Sequence, residues 1–425
     1  HLRFITPSVP FAERRIIEMT ILSNCRIVEM TILSNCRIVP DLTEGYSGNY
    51  ADIVYENGLI EGIYPVGMAP SPEGTEVLDI KGMTVLPGLF DLHMHANFDR
   101  MIVEQIAVRT PEQSLVDGVD YAQDYLRNGY TFLRDCGIAH WGGRYIREFF
   151  DRGLAIGPHY IFSGACNSPR APGNAQFGPV YREFDGPQYA LEICRDDVAH
   201  GASFIKYMVT GAMMNEGGDP QAMLCTRKEL QAMVDAAAAC GTYVAAHCHG
   251  KPGILACIEA GVYTVEHSTY LDDECIESYL KSNGKTVMVP TMGVMYGILT
   301  DDTGAVPQYM KDRTANIYEN LCVNLANACR AGVLVGWGSD ADRPSFDRYP
   351  GLEFTARKAL GLSNIELLRQ ATVNSAIIAG VIDKAGTIKV GKWADFCIVD
   401  GKPDEDIDVM TKLPANVIIG GQKAV

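Results

Sequence analysis

The sequence predicts an α/β protein, with a (β/α)8 TIM-like barrel and a small β-sandwich domain formed from both chain ends. From residue 84 onward, eight short β-rich runs alternate with helical patterns. Glycine-punctuated β segments occupy residues 30–85 and 386–425, on either side of that alternation. Histidines, a lysine and an aspartate lie where several runs end, and barrels of this kind place their chemistry at the carboxyl ends of the strands. We therefore expect a sandwich domain of residues 30–85 and 386–425, and a barrel of residues 86–385.

Each predicted strand is a short run rich in β-branched and aromatic residues. The eight runs are 84–95, 130–137, 159–164, 203–209, 243–249, 263–268, 286–291 and 333–340. Two of the intervening helices carry clear end signals. Thr226 and Glu229 form a capping-box pattern before a helix that stops at Gly241, and Asp272 begins another that stops by Gly284. Eight strands alternating with helices over about 300 residues are typical of a (β/α)8 barrel.

The amino-terminal region contains a perfect tandem repeat. The segment "EMTILSNCRIV" occupies residues 18–28 and again residues 29–39. A single pair of copies is too few for a repeat architecture. We interpret residues 1–29 as a duplicated or expression-derived leader, with natural initiation at Met19 or Met30. The second copy should form the first strand, because it runs directly into the remaining sequence.

Composition restricts the function classes. The 425 residues carry a net charge of −16, without a basic patch, which disfavours nucleic acid and anionic membranes as partners. No apolar run approaches the ~18 residues of a membrane span. Thirteen cysteines, an odd number without CxxC spacing, favour free thiols in a reducing compartment. The expectation is a cytoplasmic protein, forming a homo-oligomer, that acts on a small molecule.

Lys206 lies inside the apolar run "FIKYM". A buried, unpaired ammonium is costly, so such a lysine either reaches water along its own stem or has a specific role. Taken alone, the run favours the first interpretation.

The polar residues at the predicted strand ends form a coherent set. His93 and His95 lie two apart on the first strand and point to the same side. Four of the nine histidines fall at the ends of strands one, five and six, while an aspartate closes the eighth. The set consists of His93, His95, Lys206, His247, His267 and Asp340. Imidazole and carboxylate ligands favour Zn²⁺ first, with Mn²⁺ or Fe²⁺ as alternatives. Strand alternation turns Cys248 to the opposite side from His247.

Together these motifs resemble the metal-dependent amidohydrolase superfamily, over residues 30 to about 420. The matching segments are "PGLFDLHMH", "GYTFLRDCG", "FIKYM", "AAHCHG", "VEHS", "GSDAD" and "TIKVGKWADFCIVD". Within the superfamily the chain is most similar to the imidazolonepropionase-related branch of Xaa-Pro and Xaa-Arg dipeptidases. The resemblance implies that Lys206 is carboxylated by CO2, and that the resulting carbamate bridges two divalent metal ions. That role would explain the apolar setting of the lysine, since burial favours the neutral amine that reacts with CO2.

The resemblance also assigns roles to the other members of the set. His93, His95 and Asp340 would hold the first metal ion, and His247 and His267 the second. A hydroxide held between two such ions would attack the substrate carbonyl. Asp340 would act as general base and then give the proton to the leaving nitrogen.

One departure concerns the substrate. Dipeptidases of this branch commonly have "TGGH" after the third strand, whereas this chain has Gly173 and Asn174 in place of the Gly-His pair. Asn174, His140 or His249 could supply the missing contact to the substrate carbonyl. Arg343 and Arg170, in predicted loops at the barrel mouth, are candidates for binding a substrate carboxylate. We expect hydrolysis of a small amide that bears a carboxylate, an Xaa-Pro-like dipeptide or an N-acyl amino acid.

Other functions remain as alternatives. Deaminases of the superfamily and imidazolonepropionase itself lack the fourth-strand lysine, so cyclic-amide hydrolysis of the imidazolonepropionase type ranks second. A non-catalytic scaffold with the same fold is disfavoured, because every expected ligand is present.

Overall fold

A computed structural model describes residues 30–98 and 108–424. The predicted leader, residues 1–29, lies outside the described residues. The strands, in chain order, are β1 (Thr31–Ile38), β2 (Tyr50–Glu56), β3 (Leu59–Tyr64), β4 (Glu76–Asp79), β5 (Thr84–Pro87), β6 (Leu89–Met94), β7 (Tyr130–Asp135), β8 (His159–Phe162), β9 (Cys166–Ser168), β10 (Tyr181–Glu183), β11 (Ile205–Met208), β12 (Val244–Cys248), β13 (Thr264–His267), β14 (Val287–Val289), β15 (Phe396–Val399), β16 (Asn416–Ile419) and β17 (Gln422–Lys423).

Helices separate most of the strands after β6. They are α1 (Pro111–Arg127), α2 (Gly142–Asp151), α3 (Ala190–Ala199), α4 (Arg227–Ala239), α5 (Lys251–Ala260), α6 (Asp273–Lys281), α7 (Met292–Thr300), α8 (Gln308–Ala331), α9 (Arg343–Arg348), α10 (Leu352–Arg357), α11 (Asn364–Arg369) and α12 (Ser375–Ile378). Across the described ranges, we find no helix with the length and hydropathy that crossing a bilayer requires.

Strands from both chain ends share one sheet. Its order is β17-β16-β15-β5-β1-β2-β3, and β4 pairs in parallel with β1. Leu33, Ile53, Val85 and Phe396 lie in its buried apolar cluster, so the two ends of the chain bury their side chains together. The first strand is built from the second copy of the repeat, since β1 spans Thr31–Ile38.

The central strands are parallel and buried. A six-stranded sheet has the order β10-β9-β11-β12-β13-β14, and β6, β7 and β8 form a three-stranded sheet. Every residue of β6, β7, β12 and β13 is buried, as expected for parallel strands covered on both faces. The α/β class is therefore confirmed. The short strands β9 and β10, which lie in the segment after the third predicted run, were not predicted.

Backbone hydrogen bonds connect the two parallel sheets. Ser203 N donates to Phe162 O at 2.8 Å, which places the start of β11 beside β8. On the other side, the predicted eighth strand lies between β14 and β6 but does not form a regular strand. It makes isolated parallel bridges from Val335 to Met288 and from Gly338 to Thr291. Within that segment, Asp340 N donates to His93 O at 2.7 Å. Closure of these strands into a barrel stays a prediction.

The predicted helix starts are confirmed. Thr226 accepts from Glu229 N, and the Glu229 side chain accepts from Thr226 N, which completes the capping box of α4. Asp272 caps α6 by accepting from Cys275 N at 3.1 Å. The cap residues that the sequence indicated therefore accept hydrogen bonds from backbone N–H groups in the first turn of each helix.

Candidate active site

The six predicted ligand residues converge at the carboxyl ends of the parallel strands. His93 is on β6, Lys206 on β11, and His247 and His267 are on β12 and β13. His95 follows β6, and Asp340 ends the segment that lies beside it. His267 and Asp340 have φ angles of 67° and 50°, in the left-handed region. Such strained backbone clusters at functional sites, where the surrounding structure holds it in place.

His93, His95 and Asp340 form the first cluster, with candidate ligand atoms within 4.8 Å of one another. The Oδ1 atom of Asp340 lies 3.8 Å from His93 Nε2 and 3.5 Å from His95 Nε2. His95 Nδ1 is hydrogen-bonded to Gly137 O at 2.8 Å, so its Nε2 is left for the cluster. Asp340 Oδ1 is buried and accepts no hydrogen bond from the described residues.

His247 and His267 form the second cluster, and His249 completes it. His267 Nε2 lies 2.9 Å from His247 Nδ1, while His267 Nδ1 contacts Thr291 Oγ1 at 2.8 Å. The His249 ring stacks on the His267 ring with centroids 4.7 Å apart. His249 Nδ1 contacts Thr269 Oγ1 at 2.7 Å, which leaves its Nε2 without a protein partner in the described residues.

Lys206 lies beside the first cluster, with only 1% of its surface exposed. Its Nζ is 3.4 Å from His93 Nε2. No carboxylate of the described residues lies within the 4.0 Å of Nζ that an ion pair requires. The lysine does not reach water along its stem, so the first interpretation of the apolar run is wrong.

Burial determines the protonation of these groups. Desolvation, together with the nearby Lys206, lowers the pKa of His95 and of His249 to about 3. The pKa values of His93, His247 and His267 also lie well below the usual range, chiefly through burial. Desolvation raises the pKa of Asp340 to about 8, against the opposing effect of Lys206. The imidazoles are therefore neutral, the form that binds metal ions.

The two clusters form the polar part of one cavity. Much of the remaining lining is apolar, from Phe98 and Phe177 to Met213, Met295 and Ile298. A mostly apolar cavity with a few convergent polar groups is typical of a small-molecule site.

Comparisons with known proteins agree with this geometry. The model of the Amidohydrolase family matches residues 84–424. The chain belongs to the amidohydrolase family. It is 27% identical to ochratoxinase from Aspergillus niger over 352 residues, which cover 76% of this chain and 72% of that protein. It is 23% identical to imidazolonepropionase from Nocardia farcinica over 274 residues, covering 59% of this chain and 66% of that protein.

Solved structures extend the similarity over the whole fold. A prolidase complexed with N-methylphosphonate-L-proline superposes with a TM-score of 0.82 at 25% identity, covering 93% of this chain and 99% of that one. The resemblance read from the motifs is thereby confirmed, and the amidohydrolase is a hydrolase that acts on amides. The family is generally metal-dependent, and the two histidine clusters are candidate metal-binding groups.

The donor set of this amidohydrolase fits divalent metal ions. His93, His95, His249 and His267 each anchor Nδ1 to a protein oxygen, which fixes the ring. Nε2 of His93, His95 and His249 then faces the site, while Nε2 of His267 contacts His247 Nδ1 at 2.9 Å. Second partners of this kind commonly orient metal-binding histidines. Asp340 Oδ1, buried and without a hydrogen bond from the described residues, adds an oxygen donor whose burial is costly unless a cation compensates it.

Sequence reasoning missed a buried ion pair beneath the first cluster. Glu266 Oε2 lies 2.7 Å from His93 Nδ1, and both carboxylate oxygens accept from Arg134 Nη2 at 2.8 Å. Arg134 and Glu266 expose 1% and 0% of their side chains. Both residues stand in motifs that carried the resemblance, "LRDCG" and "VEHS". The signal was a charge inside a buried strand, the same signal that singled out Lys206.

The structure does not bring the two predicted arginines to the cavity. Arg343 donates to Asp120 Oδ2 at 2.6 Å and also pairs with Asp124, on α1. Arg170 is 73% exposed and pairs with Asp185 at 2.7 Å. Neither is among the described residues that line the cavity, because each guanidinium is held by carboxylates elsewhere.

Of the three candidates for the missing third-strand histidine, only His249 lies in the cavity. Asn174 is buried, and its amide nitrogen donates to Ser168 Oγ, Pro169 O and Glu183 Oε1, so it holds its own loop together. His140 is exposed, in a short turn after β7. The geometry therefore favours His249 over Asn174 and His140.

Proposed function

We propose that the protein is a binuclear metal-dependent hydrolase of small amides. The observation that carries the proposal is the convergence of six ligand-type side chains from five separate segments on one buried cavity. Zinc is the first candidate, because the donors are imidazoles and a carboxylate. The hydrogen bonds between β14, the 333–340 segment and β6 support closure of the parallel strands into a (β/α)8 barrel.

The ligand assignment follows the two clusters. His93, His95 and Asp340 would hold one ion, and His247 and His267 the other, with His249 beside them. Lys206, as the carbamate formed with CO2, would bridge the two. Its burial and its position 3.4 Å from His93 Nε2 support that role. A carbamate turns a buried amine that has no acidic partner among the described residues into an anion compensated by the metal ions.

When bound, two such metal ions activate a water molecule and polarise the substrate carbonyl. Asp340 would take the proton from the attacking water and give it to the leaving nitrogen. His249 would donate a hydrogen bond from Nε2 to the carbonyl oxygen, provided that the proton of its imidazole sits there and that Nδ1 accepts from Thr269. The apolar lining would exclude bulk water and strengthen these interactions.

A dipeptide or an N-acyl amino acid remains the substrate class that we propose. The support is the likeness to the prolidase complexed with N-methylphosphonate-L-proline. Arg343 and Arg170 pair with carboxylates outside the cavity, so neither is proposed to bind the substrate carboxylate. Two hydroxyls that line the cavity are engaged as well, since Thr269 contacts His249 Nδ1 at 2.7 Å and Thr314 donates to Met310 O at 2.9 Å.

Metal analysis tests the binuclear proposal. Protein purified without chelator and then saturated with zinc should contain close to two divalent ions per chain and hydrolyse dipeptides or N-acyl amino acids. Saturation at one ion per chain, with cleavage of cyclic amides only, would instead indicate chemistry of the imidazolonepropionase type.

The role of Asp340 is tested by its amide. We expect Asp340→Asn to lower kcat by about 10²-fold or more, as loss of a general acid–base group does. Asp342→Asn is the matched control, because Asp342 is a neighbouring acid that caps α9 through Ser345 N at 2.7 Å. Near-normal turnover by Asp340→Asn at full metal content would remove Asp340 from the mechanism.

A further inference from the structure

We propose that the substrate carries a bulky apolar group, preferably aromatic, and that the walls of the cavity select it. This inference rests on the proposed amide hydrolysis and specifies the substrate class. It would place the apolar group against two sets of side chains that the mechanism does not use.

The first set is a row of aromatic rings that begins at a metal-ligand candidate. The Phe98 ring stacks on the His95 ring at 4.5 Å and 29°. Phe177 lies 6.4 Å from Phe98 at 27°, and Tyr181 lies 4.9 Å from Phe177 at 35°. All of these rings line the cavity. The row thus leads from the reacting centre along one wall, with its rings within about 35° of parallel from each to the next.

The second set is flexible and aliphatic. Met213 and Met214 follow β11, and Val294, Met295 and Ile298 lie on α7. Methionine side chains adapt to irregular shapes, and their sulfur atoms make favourable contacts with aromatic rings. A planar ring held between an aromatic row and methionines would lose water from both faces.

Apolar and charged substrates should therefore differ in rate. Replacing a methyl group by a phenyl group in such a pocket should raise kcat/KM by about 10–100-fold or more, since one methylene alone is worth about 10–200-fold. A charged group in the same place would lose its hydration against walls of aromatic and aliphatic side chains, so its amide should react more slowly than either.

Two substrate series test the inference, because the apolar group can lie on either side of the scissile bond. One series varies the amino acid, from N-acetyl-alanine to N-acetyl-phenylalanine, N-acetyl-arginine and N-acetyl-aspartate. The other varies the acyl group, from N-acetyl-alanine to N-benzoyl-alanine. We expect the aromatic member to be preferred in at least one series. Equal rates throughout, or preference for the charged members, would overturn the inference while leaving amide hydrolysis intact.

Variants locate the selectivity in the two walls. Phe177→Ala and Met295→Ala should each lower kcat/KM for the aromatic substrate by about 10-fold, and for N-acetyl-alanine by less than about 3-fold. Met233→Ala is the matched control, because Met233 is a fully buried methionine of α4 that does not line the cavity. Met233→Ala should affect the two substrates equally. The inference is wrong if Phe177→Ala and Met295→Ala also affect them equally.

Binding to the metal-free protein separates this inference from the proposed function. N-benzyl-alanine and N-ethyl-alanine are the amine analogues of the benzoyl and acetyl substrates and cannot be hydrolysed. If the aromatic preference appears in the acyl series, calorimetry should show that N-benzyl-alanine binds about 10-fold or more tightly than N-ethyl-alanine. Phe177→Ala should lose that preference. An inactive protein that keeps this preference would overturn the proposed function alone. Equal binding of the two analogues, in a protein that also shows no rate preference, would overturn the substrate class alone.

Discussion

At the scale of single residues, the His93 ring is fixed by a buried carboxylate and does not need a metal ion to orient it. Its Nδ1 lies 2.7 Å from Glu266, and Glu266 is in turn clamped by Arg134. A carboxylate in this position fixes the Nδ1–H tautomer and makes Nε2 a better donor to a metal ion. The buried pair thus acts through His93 rather than on the substrate.

Glu266→Gln tests this arrangement. The change keeps the shape of the side chain but removes the charge, so the first cluster should bind zinc about 10–100-fold more weakly. Competition with a chelator of known affinity measures the change without any substrate.

Glu353→Gln provides the control for a broken buried ion pair. Glu353 Oε1 accepts from Arg357 Nε at 2.5 Å, and both side chains are 0% exposed, but the pair does not touch the histidine clusters. Zinc affinity should be unchanged in this variant. Equal losses in the two variants would mean that Glu266 serves general stability only.

Lys206→Ala tests the proposed carbamate. The variant should lose activity and metal content, and added acetate or propionate should restore part of both by supplying the missing carboxylate. Lys392→Ala is the matched control. Lys392 is also buried, with 4% of its surface exposed, but its Nζ is hydrogen-bonded to Thr387 and Ala385. A Lys206→Ala protein with normal metal content and rate would exclude the bridging role.

At the scale of elements, the close approach of the 333–340 segment to β6 determines where the first cluster lies. A Cβ at Gly338 would stand 2.6 Å from His93 Cβ and 3.0 Å from Val289 Cγ1. Such contacts require one of the strands to shift. The close contacts explain why a glycine is needed here. Its backbone does not require one, since its φ is not in the left-handed region.

Gly338→Ala should therefore displace His93 and disturb the site. We expect overpacking to cost about 1–3 kcal/mol and the metal content to fall. Urea unfolding and elemental analysis measure the two effects. Gly241→Ala is the control, since Gly241 has φ 73° and nothing within 4 Å of its added Cβ. That variant should lose about 1–2 kcal/mol from backbone strain while keeping its metal ions. Full metal content in Gly338→Ala would contradict the expectation.

At the scale of the whole molecule, the site joins segments that are far apart in the chain. Asp340 and His93 are 247 residues apart and share a backbone hydrogen bond of 2.7 Å. The sheet formed from both chain ends adds a second long-range connection, because β5 pairs with both β1 and β15. Ions bound between such segments should stabilise the folded state, since the unfolded chain holds no comparable site.

Removal of the metal ions should therefore lower Tm. A ligand present at 1,000 times its Kd stabilises the folded state by about 4 kcal/mol, so chelation should lower Tm by several degrees, and added zinc should restore it. The His93→Ala, His247→Ala double variant is the control, because its Tm should not respond to chelator. An unchanged Tm in the unaltered protein would show that the clusters hold no stabilising ion.

The sequence by itself determined most of the local features: the parallel strands other than the eighth run, β9 and β10, the starts of the capped helices, and the candidate ligand residues near the strand ends. These follow from periodicity, cap residues and motifs, which act over a few positions. Only the tertiary structure decided the partners of the polar side chains. Arg343 pairs with α1, Asn174 holds its own loop, and Glu266 reaches His93 across 173 residues. The physical reason is that a hydrogen bond or ion pair depends on distances between segments that the chain brings together only on folding, whereas strand and helix patterns are written in neighbouring residues.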